Sequence, residues 1–380
     1  MTQSWINAAF YRGGSSKGVF FNAADLPETR DDIANIYLSV LGSPDPYGRQ
    51  LNGMGGGLSS LSKAVMIGPS ARADADVDYT FAQVAVDRPI VDWGANCGNL
   101  SSAVGPFAVD EGLVDAKDGE ALVRIHQVNT SKIIHARFPV IDGKAETQGD
   151  FAIAGVAGTG AKIALDFLDP GGTVTNGLLP TGNVIDRIKI SDGTEIEVSL
   201  IDATNPVVFV SASALGMTGA EGPDEIEARP GLMARLDEIR RLGGVLMGLG
   251  ATPEAVGLSN PKVALVGAPA RFQRLDKVEV EAGAYDVSIR MVSMERAHRA
   301  VTLTAAMCLG AACRIEGTIA QRLCRPNVWQ EIRIGNPSGV LPVGADVSDR
   351  GGWNVKRTTA FRTARCLMRG TVSVPNLGRL

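Results

Sequence analysis

The sequence predicts an α/β (α+β) protein of two strand-rich halves, each with one apolar helix directly behind a short polar turn. Three observations predict it. Short apolar runs bounded by turn residues recur along the whole chain. Two longer stretches, about 98–112 and about 295–313, have the Ala, Val, Met and Leu content of helices buried on most sides. The 45 glycines and 19 prolines are scattered, not gathered into a linker, so the elements are short and joined by tight turns.

In order, strands are expected at 6–10 and 18–21. A helix follows, opened by Asp31-Asp32, carrying Ile33, Ile36, Tyr37, Val40 and Leu41 at helical spacing, and stopped by Gly42. Strands at 64–67, 77–81 and 122–125 surround the first apolar helix, in which Pro106 is expected to kink the helix or shift its start. The run 155–162 lacks GxGxxG spacing and reads as a turn before an alternating segment, 163–167. Turn residues at 177–183 mark the boundary between domains 1–183 and 184–380. The second half repeats the layout: strands at 188–190, 195–201, 207–210, 263–266, 278–281 and 287–292, a helix at about 232–246, then the second apolar helix. No strong internal identity accompanies this similarity. The last segment, 371–375, is free to return to either sheet.

A chain of 380 residues with 45% hydrophobic content buries a sizeable core. A net charge of -4 without a basic block argues against a nucleic-acid surface and for a small polar ligand. No signal-like apolar stretch opens the chain and no eighteen apolar residues run together, so neither export nor membrane insertion is expected and the cytoplasm is the default. Five cysteines, an odd number in a long chain, fit a reducing compartment. The three histidines are far apart, and without CxxC, HxH or HExxH no metal site is indicated.

The chemistry concentrates at Cys97 and Lys63. Cys97 stands in Asn96-Cys97-Gly98-Asn99, at the expected start of an apolar helix, where the dipole and free N–H groups favour thiolate. Lys63 stands where the glycine-rich run 52–62 meets a buried strand. A solvated surface lysine is the ordinary explanation, but partial desolvation there favours the neutral amine, a general base. Arg12-Gly13-Gly14-Ser15-Ser16-Lys17-Gly18 offers hydroxyls, N–H groups and two cations. It reads as an anion cradle or an ordinary hairpin turn, and the GxxxxGK[ST] spacing of a nucleotide loop fails. Gly335-Asn336-Pro337-Ser338-Gly339 reads as a turn, with Ser338 a candidate carboxylate ligand.

Taken together these motifs resemble the PrpF family, a branch of the diaminopimelate-epimerase-like fold that includes 2-methylaconitate cis-trans isomerase, 3-methylitaconate Δ-isomerase and 4-oxalomesaconate tautomerase. The likeness runs through 12–21, 53–63, Asn96-Cys97-Gly98-Asn99, 103–107, 155–161, 178–183, 290–294 and 336–339. The chain departs from the pattern at Ser15, where threonine is usual, and at Arg299 and Asn336, where histidines are expected. The resemblance implies two similar domains, each a strongly curved, mostly antiparallel sheet around a central helix, with the active site in the cleft between them. It implies Lys63 and Cys97 as the acid/base residues. As substrate-binding residues it implies Ser15, Ser16, Lys17, Asn52, Met54, Gly55, Asn96, Gly98, Asn99, Arg290, Ser293, Met294 and Ser338.

The expected activity is a cofactor-free, metal-free proton transfer on an unsaturated di- or tricarboxylate such as 2-methylaconitate, aconitate, methylitaconate or 4-oxalomesaconate, by allylic shift or cis-trans isomerisation. A homodimer or higher homo-oligomer is compatible with the chain. An amino-acid epimerase of the same fold is the alternative, but it needs a second thiol, and Cys308 and Cys313 lie inside the second apolar helix. A non-catalytic carboxylate-binding accessory protein is the reading from another class, and the retention of both Lys63 and Cys97 counts against it.

Overall fold

A computed structural model of the chain describes residues 3–94, 97–258, 260–293, 296–326 and 331–375. It divides into two compact units, Met1–Asp166 with Phe361–Leu380, and Phe167–Ala360. The chain leaves the first unit within strand β9 (Ile163–Leu168) and returns within β20 (Asn354–Arg362). The division precedes the 177–183 turns because that segment folds onto the second unit. Asp202 donates its backbone N–H to Leu178 at 2.9 Å, and Leu178 packs in that unit's core.

The first unit holds β1 (Gln3–Gly13), β2 (Ser16–Asn22), α1 (Arg30–Leu41), β3 (Lys63–Pro69), β4 (Val77–Val84), β5 (Val91–Asp92), α2 (Ser101–Asp110), β6 (Gly119–Gln127), β7 (Lys132–Ile141), β8 (Lys144–Ala145) and the start of β9. The last strand, β21 (Ala364–Pro375), returns here and pairs antiparallel with β1 from Gln3↔Pro375 to Gly13↔Ala364. The second unit holds β10 (Asp186–Lys189), β11 (Glu195–Asp202), β12 (Pro206–Ser211), α3 (Pro223–Ala228), α4 (Leu232–Leu246), β13 (Lys262–Gly267), β14 (Phe272–Gln273), β15 (Glu279–Val280), β16 (Val287–Ser293), β17 (Arg296–Ala297), α5 (Leu303–Ala312), α6 (Ile319–Leu323), β18 (Ile332–Asn336), β19 (Gly339–Ser348) and most of β20.

The pairing order shows that one pattern is used twice. In the first unit β1 is antiparallel to β2, β2 parallel to β3, β3 antiparallel to β4, β4 parallel to β6 and β6 antiparallel to β7. In the second, β11, β12, β13, β16, β18 and β19 repeat that alternation. Each parallel step needs a crossover, and the helices supply it in matching places: α1 and α4 at the first, α2 and α5 at the second. Strands covered on both faces read as continuous apolar runs. In β12, Val207 and Phe209 pack with α5 while Val208 and Val210 pack with α4.

The two central helices are apolar nearly all round, as the composition requires. Each carries a glycine where the equivalent strand presses in. A Cβ on Gly105 would lie 2.6 Å from Phe138 of β7, and one on Gly310 would lie 2.7 Å from Val343 of β19. Glycine costs a helix about 1 kcal/mol relative to alanine, and the close approach of sheet to helix offsets it.

The first helix matches its sequence signals. Thr29 caps it by accepting the Asp32 N–H at 3.2 Å, and Gly42 closes it at φ 71°. The central helices are shorter than the apolar stretches. Gly98 to Leu100 form a turn ahead of α2, which continues through Pro106. In the second stretch Arg296–Ala297 pairs back on β16, and Thr302 caps α5. Of the expected strand at 278–281 only Glu279–Val280 pairs, in a small hairpin with Phe272–Gln273.

Candidate active site

Four pieces of the first unit converge: the β1–β2 turn, the start of β3, the turn before α2 and the β20–β21 junction. Glycines allow the approach. A Cβ on Gly13 would lie 2.8 Å from the Asn99 carbonyl oxygen, and one on Gly18 would lie 2.9 Å both from Leu100 Cδ1 and from the Lys63 carbonyl oxygen. Gly18 is therefore where the backbone carrying Lys63 and the turn carrying Cys97 come together.

Lys63 is 8% exposed. Its ammonium donates to Gln83 Oε1 at 2.7 Å and lies 5.0 Å from the centre of the Phe81 ring. A buried cation needs such partners. Antiparallel register puts Gln83 opposite Lys63, and the Gln83 amide is itself fixed, donating to the carbonyls of Ser59 at 3.0 Å and Ser62 at 2.9 Å. The glycine-rich loop is tied to the same place, because buried Gln50 donates to Ser62 Oγ at 2.7 Å and accepts the Gly57 N–H.

Cys97 is 9% exposed. Its carbonyl accepts from both N–H and Oγ of Ser101 at 3.0 Å. The thiol thus stands a turn ahead of the first helical residue, Ser101, not directly before the helix as the apolar stretch suggested. The N–H groups of Ser101, Ser102 and Ala103 are taken up by the carbonyls of Cys97, Asn99 and Leu100. An anion here meets the turn 98–100, not the helix's own amides. Tyr79 on β4 is wholly buried, and its phenol is held well above its ordinary pKa by burial and by the charge of Cys97.

Asn99 joins the turns. Its Nδ2 donates to Ser15 Oγ at 3.2 Å, and its Oδ1 accepts from Arg362 Nε at 3.0 Å. Arg362 is 8% exposed and also donates to the Phe361 carbonyl at 2.8 Å. Burial pushes its guanidinium down to about 10, and the charge of Cys97 opposes that. Gly14, at φ 52°, donates its N–H to the Thr363 carbonyl at 3.0 Å, and Arg12 clasps the carbonyls of Gly14 and Thr363. The 12–18 segment is thus a hairpin turn with hydroxyls and cations along it. Ser15 is exposed, Ser16 is buried, and the Lys17 ammonium lies 5.6 Å from the Phe10 ring centre.

The other expected ligands sit as follows. Asn52 is exposed, on the rim of a separate cavity of about 580 Å³ beside the end of α1. Met54 packs against the α1 core, and the N–H groups of Met54 and Gly55 bond to Val40 and Leu41. Gly98 lies in the turn beside Cys97. Asn96 and Met294 lie outside the described residues, and Ser293 is described only as backbone of β16. In the second unit, Arg290 is buried among carbonyls, donating to Glu221 at 2.5 Å, Ile289 at 2.9 Å and Gly335 at 3.3 Å, with Phe272 4.9 Å away. Burial pushes it down to about 10. Ser338 Oγ donates to the Arg299 carbonyl at 2.7 Å. Gln83 and Arg362 are the residues sequence reasoning missed. Neither belongs to a motif, and only strand register and chain return bring them in.

Among the described residues no three His, Cys, Asp or Glu side chains group as metal ligands, and no helix is long and apolar enough to cross a membrane. Cys308 and Cys313 are buried in and just after α5, and burial pushes both thiols up.

A duplicated helix-in-sheet fold with a buried lysine and thiol in one half defines a protein of the epimerase-like class. A hydroxyproline epimerase from Agrobacterium vitis shares that fold alone, with a TM-score of 0.51 at 15% identity. The family model for the PrpF protein matches residues 3–375, and the chain belongs to that family. It is 40% identical to a 2-methyl-aconitate isomerase of Cupriavidus necator, covering 97% of each chain, and 40% identical to a 3-methylitaconate isomerase of Eubacterium barkeri, covering 98% of each. A crystal structure of methylitaconate-delta-isomerase superposes with a TM-score of 0.93 at 40% identity, over 99% of this chain and 97% of the other. The chain is an isomerase of this family.

Proposed function

We propose that the protein is a cofactor-independent isomerase that moves a proton on an unsaturated di- or tricarboxylate, with Lys63 and Cys97 as the acid/base pair. The observation that carries the reading is the pair itself. Two proton-carrying side chains, each less than a tenth exposed, sit on segments that both pack on Gly18, Lys63 by its own backbone and the turn after Cys97 through Leu100, and that turn also carries Asn99 on the buried Arg362 guanidinium. Equal identity to an isomerase of methylaconitate and one of methylitaconate supports the substrate class and leaves the particular acid to be chosen by assay.

In an allylic shift one group takes a proton γ to a carboxylate, and the electron pair delocalises as a dienolate. The other group returns a proton at the α carbon, so the double bond moves and nothing is oxidised or reduced. For cis-trans change the same intermediate rotates about the weakened bond before reprotonation. The polar turn stabilises the added charge in a site where water is scarce. All five cysteines are free thiols, which supports a cytoplasmic setting.

The test is a screen of aconitate, methylaconitate, methylitaconate and oxalomesaconate in deuterated water, with the wild type beside Lys63→Ala and Cys97→Ser. Both folded variants are expected to lose isomerisation and deuterium incorporation on the acid the wild type turns over, by at least about a hundredfold as for lost general acid–base groups. Wild-type turnover by either variant would remove that residue from the mechanism.

A further inference from the structure

Arg362 is the one buried cation of the candidate site whose role neither motif nor fold explains. It comes from the last residue of β20, 263 positions from Asn99. Stabilising a guanidinium out of water takes an anion or several oriented dipoles. Among the charges of the described residues, the one acting on it is that of Cys97 and not of a carboxylate. It donates hydrogen bonds to the Phe361 carbonyl beside it in the chain and, across the fold, to the Asn99 side chain, with Gly14 between Arg362 and Asn99. A Cβ on Gly14 would lie 2.9 Å from Asn99 Cγ and 3.1 Å from Arg362 Cδ, so only a bare Cα leaves room for that contact.

The chemistry of this hydrogen bond fixes an orientation. A guanidinium has donors only, so the Asn99 atom facing Arg362 is the oxygen, and the amide nitrogen faces the opposite way, towards Ser15. Asn99 thereby presents N–H donors on the exposed side of the turn, beside the Ser15 hydroxyl. A free asparagine would flip and present a carbonyl oxygen to an incoming carboxylate about as often.

We infer that Arg362 is the positioning residue of the carboxylate-binding turn: it locks the Asn99 amide with its N–H donors towards the substrate and leaves its own positive charge beneath a bound carboxylate. The inference rests on the proposed function for its ligand class. It assigns Arg362 to binding and not to the proton transfer.

The experiment is a double-mutant cycle on the full chain with Arg362→Gln, Arg362→Lys, Asn99→Ala and Arg362→Gln/Asn99→Ala. Steady-state kinetics are measured on the acid that the wild type isomerises, with calorimetric binding of tricarballylate, a saturated tricarboxylate with no double bond to shift. For a lost charge-assisted hydrogen bond, Arg362→Gln is expected to raise KM and the tricarballylate Kd by about 100-fold, with kcat changed less than about threefold. Arg362→Lys keeps the charge but not the planar fork and is expected to fall near tenfold. On the Asn99→Ala background the Gln change is expected to cost about tenfold less than on the wild type. A merely structural role would move thermal stability and kcat without that coupling. Should Arg362→Gln fail to fold, the lysine variant carries the same comparison.

Unchanged KM and Kd in folded Arg362 variants would overturn the inference. So would a fall confined to kcat, or strict additivity with Asn99→Ala. Wild-type binding of tricarballylate without isomerisation of any acid would instead overturn the proposed function, while the binding cycle still decides the role of Arg362. Absence of any tricarballylate binding to the wild type would overturn both.

Discussion

Replacing Gly14 by alanine tests whether the site depends on the close passage of the β1–β2 turn under Asn99. Two penalties are separable. Gly14 sits at φ 52°, a left-handed conformation that costs an alanine about 1–2 kcal/mol. Its new methyl would also overlap the Asn99 amide, with Cγ 2.9 Å away, and press on Arg362 Cδ at 3.1 Å; overpacking of this kind costs about 1–3 kcal/mol. Gly112 supplies the control. It has φ 71° and nothing within 4 Å of the position its Cβ would take, so Gly112→Ala carries the first penalty alone. The expected losses are therefore about 2–5 kcal/mol for Gly14→Ala and about 1–2 kcal/mol for Gly112→Ala. Displacing Asn99 by an ångström is also expected to lower kcat/KM by about a hundredfold in the Gly14 variant only. Thermal unfolding and steady-state kinetics on the two variants read both quantities. Equal stability losses with equal, wild-type activity would refute the contact as a determinant of the site.

Two further outcomes follow from the same geometry. Asp286, 2% exposed, accepts from Arg333 N–H at 2.8 Å, Nε at 3.1 Å and Nη2 at 2.7 Å. Burial works to raise its pKa, but these hydrogen bonds outweigh it and hold the carboxyl below its ordinary value near 3.8. Its stabilising contribution is thus fully present above the unfolded value and lost as pH falls through the folded one. Asp286→Asn is expected to cost about 3 kcal/mol at neutral pH, with the gap to wild type closing in urea unfolding below about pH 4; a gap independent of pH would exclude the linkage. Limited iodoacetamide labelling with peptide mapping is expected to leave Cys308 unmodified in the folded protein, because burial raises its thiol, and to show Cys97 shielded by trans-aconitate. Equal labelling of Cys97 with and without the ligand would separate its reactivity from the site.

Many strands and α1 were legible because their signals are local: apolar runs, Asp31-Asp32 at one end of the helix, Gly42 at the other; β7, β18, β19 and β20, with more polar residues along them, were not. The length of α5 was not. An apolar stretch from 295 to 313 reads as one helix until register shows Arg296–Ala297 pairing with β16, a fact of tertiary contact. The same division runs through the site. Lys63 and Cys97 announce themselves by residue type beside glycine and asparagine, whereas Gln83 matters only because β3 and β4 align it with Lys63. Arg362 matters only because the chain comes back to the first unit after the second is built.

The repeated topology bears on the proposal that one half carries the chemistry. Lys262 opens β13 as Lys63 opens β3, and each of these strands pairs antiparallel with the next strand of its sheet, β16 and β4. The equivalence ends at the helix. The turn before α2 holds Cys97, whereas His298 to Thr302 before α5 hold no thiol, and burial lowers the pKa of both Lys262 and His298, the charge of Lys262 adding to the effect on His298. A two-thiol epimerisation asks for a reactive sulfur at the start of each central helix. Here the second position offers basic groups, and the nearest sulfurs, Cys308 and Cys313, are held neutral by the apolar core around α5. One scaffold used twice thus supplies a lysine and a thiol within its first half, which suits proton transfer between two carbons of one conjugated acid better than inversion at a single carbon.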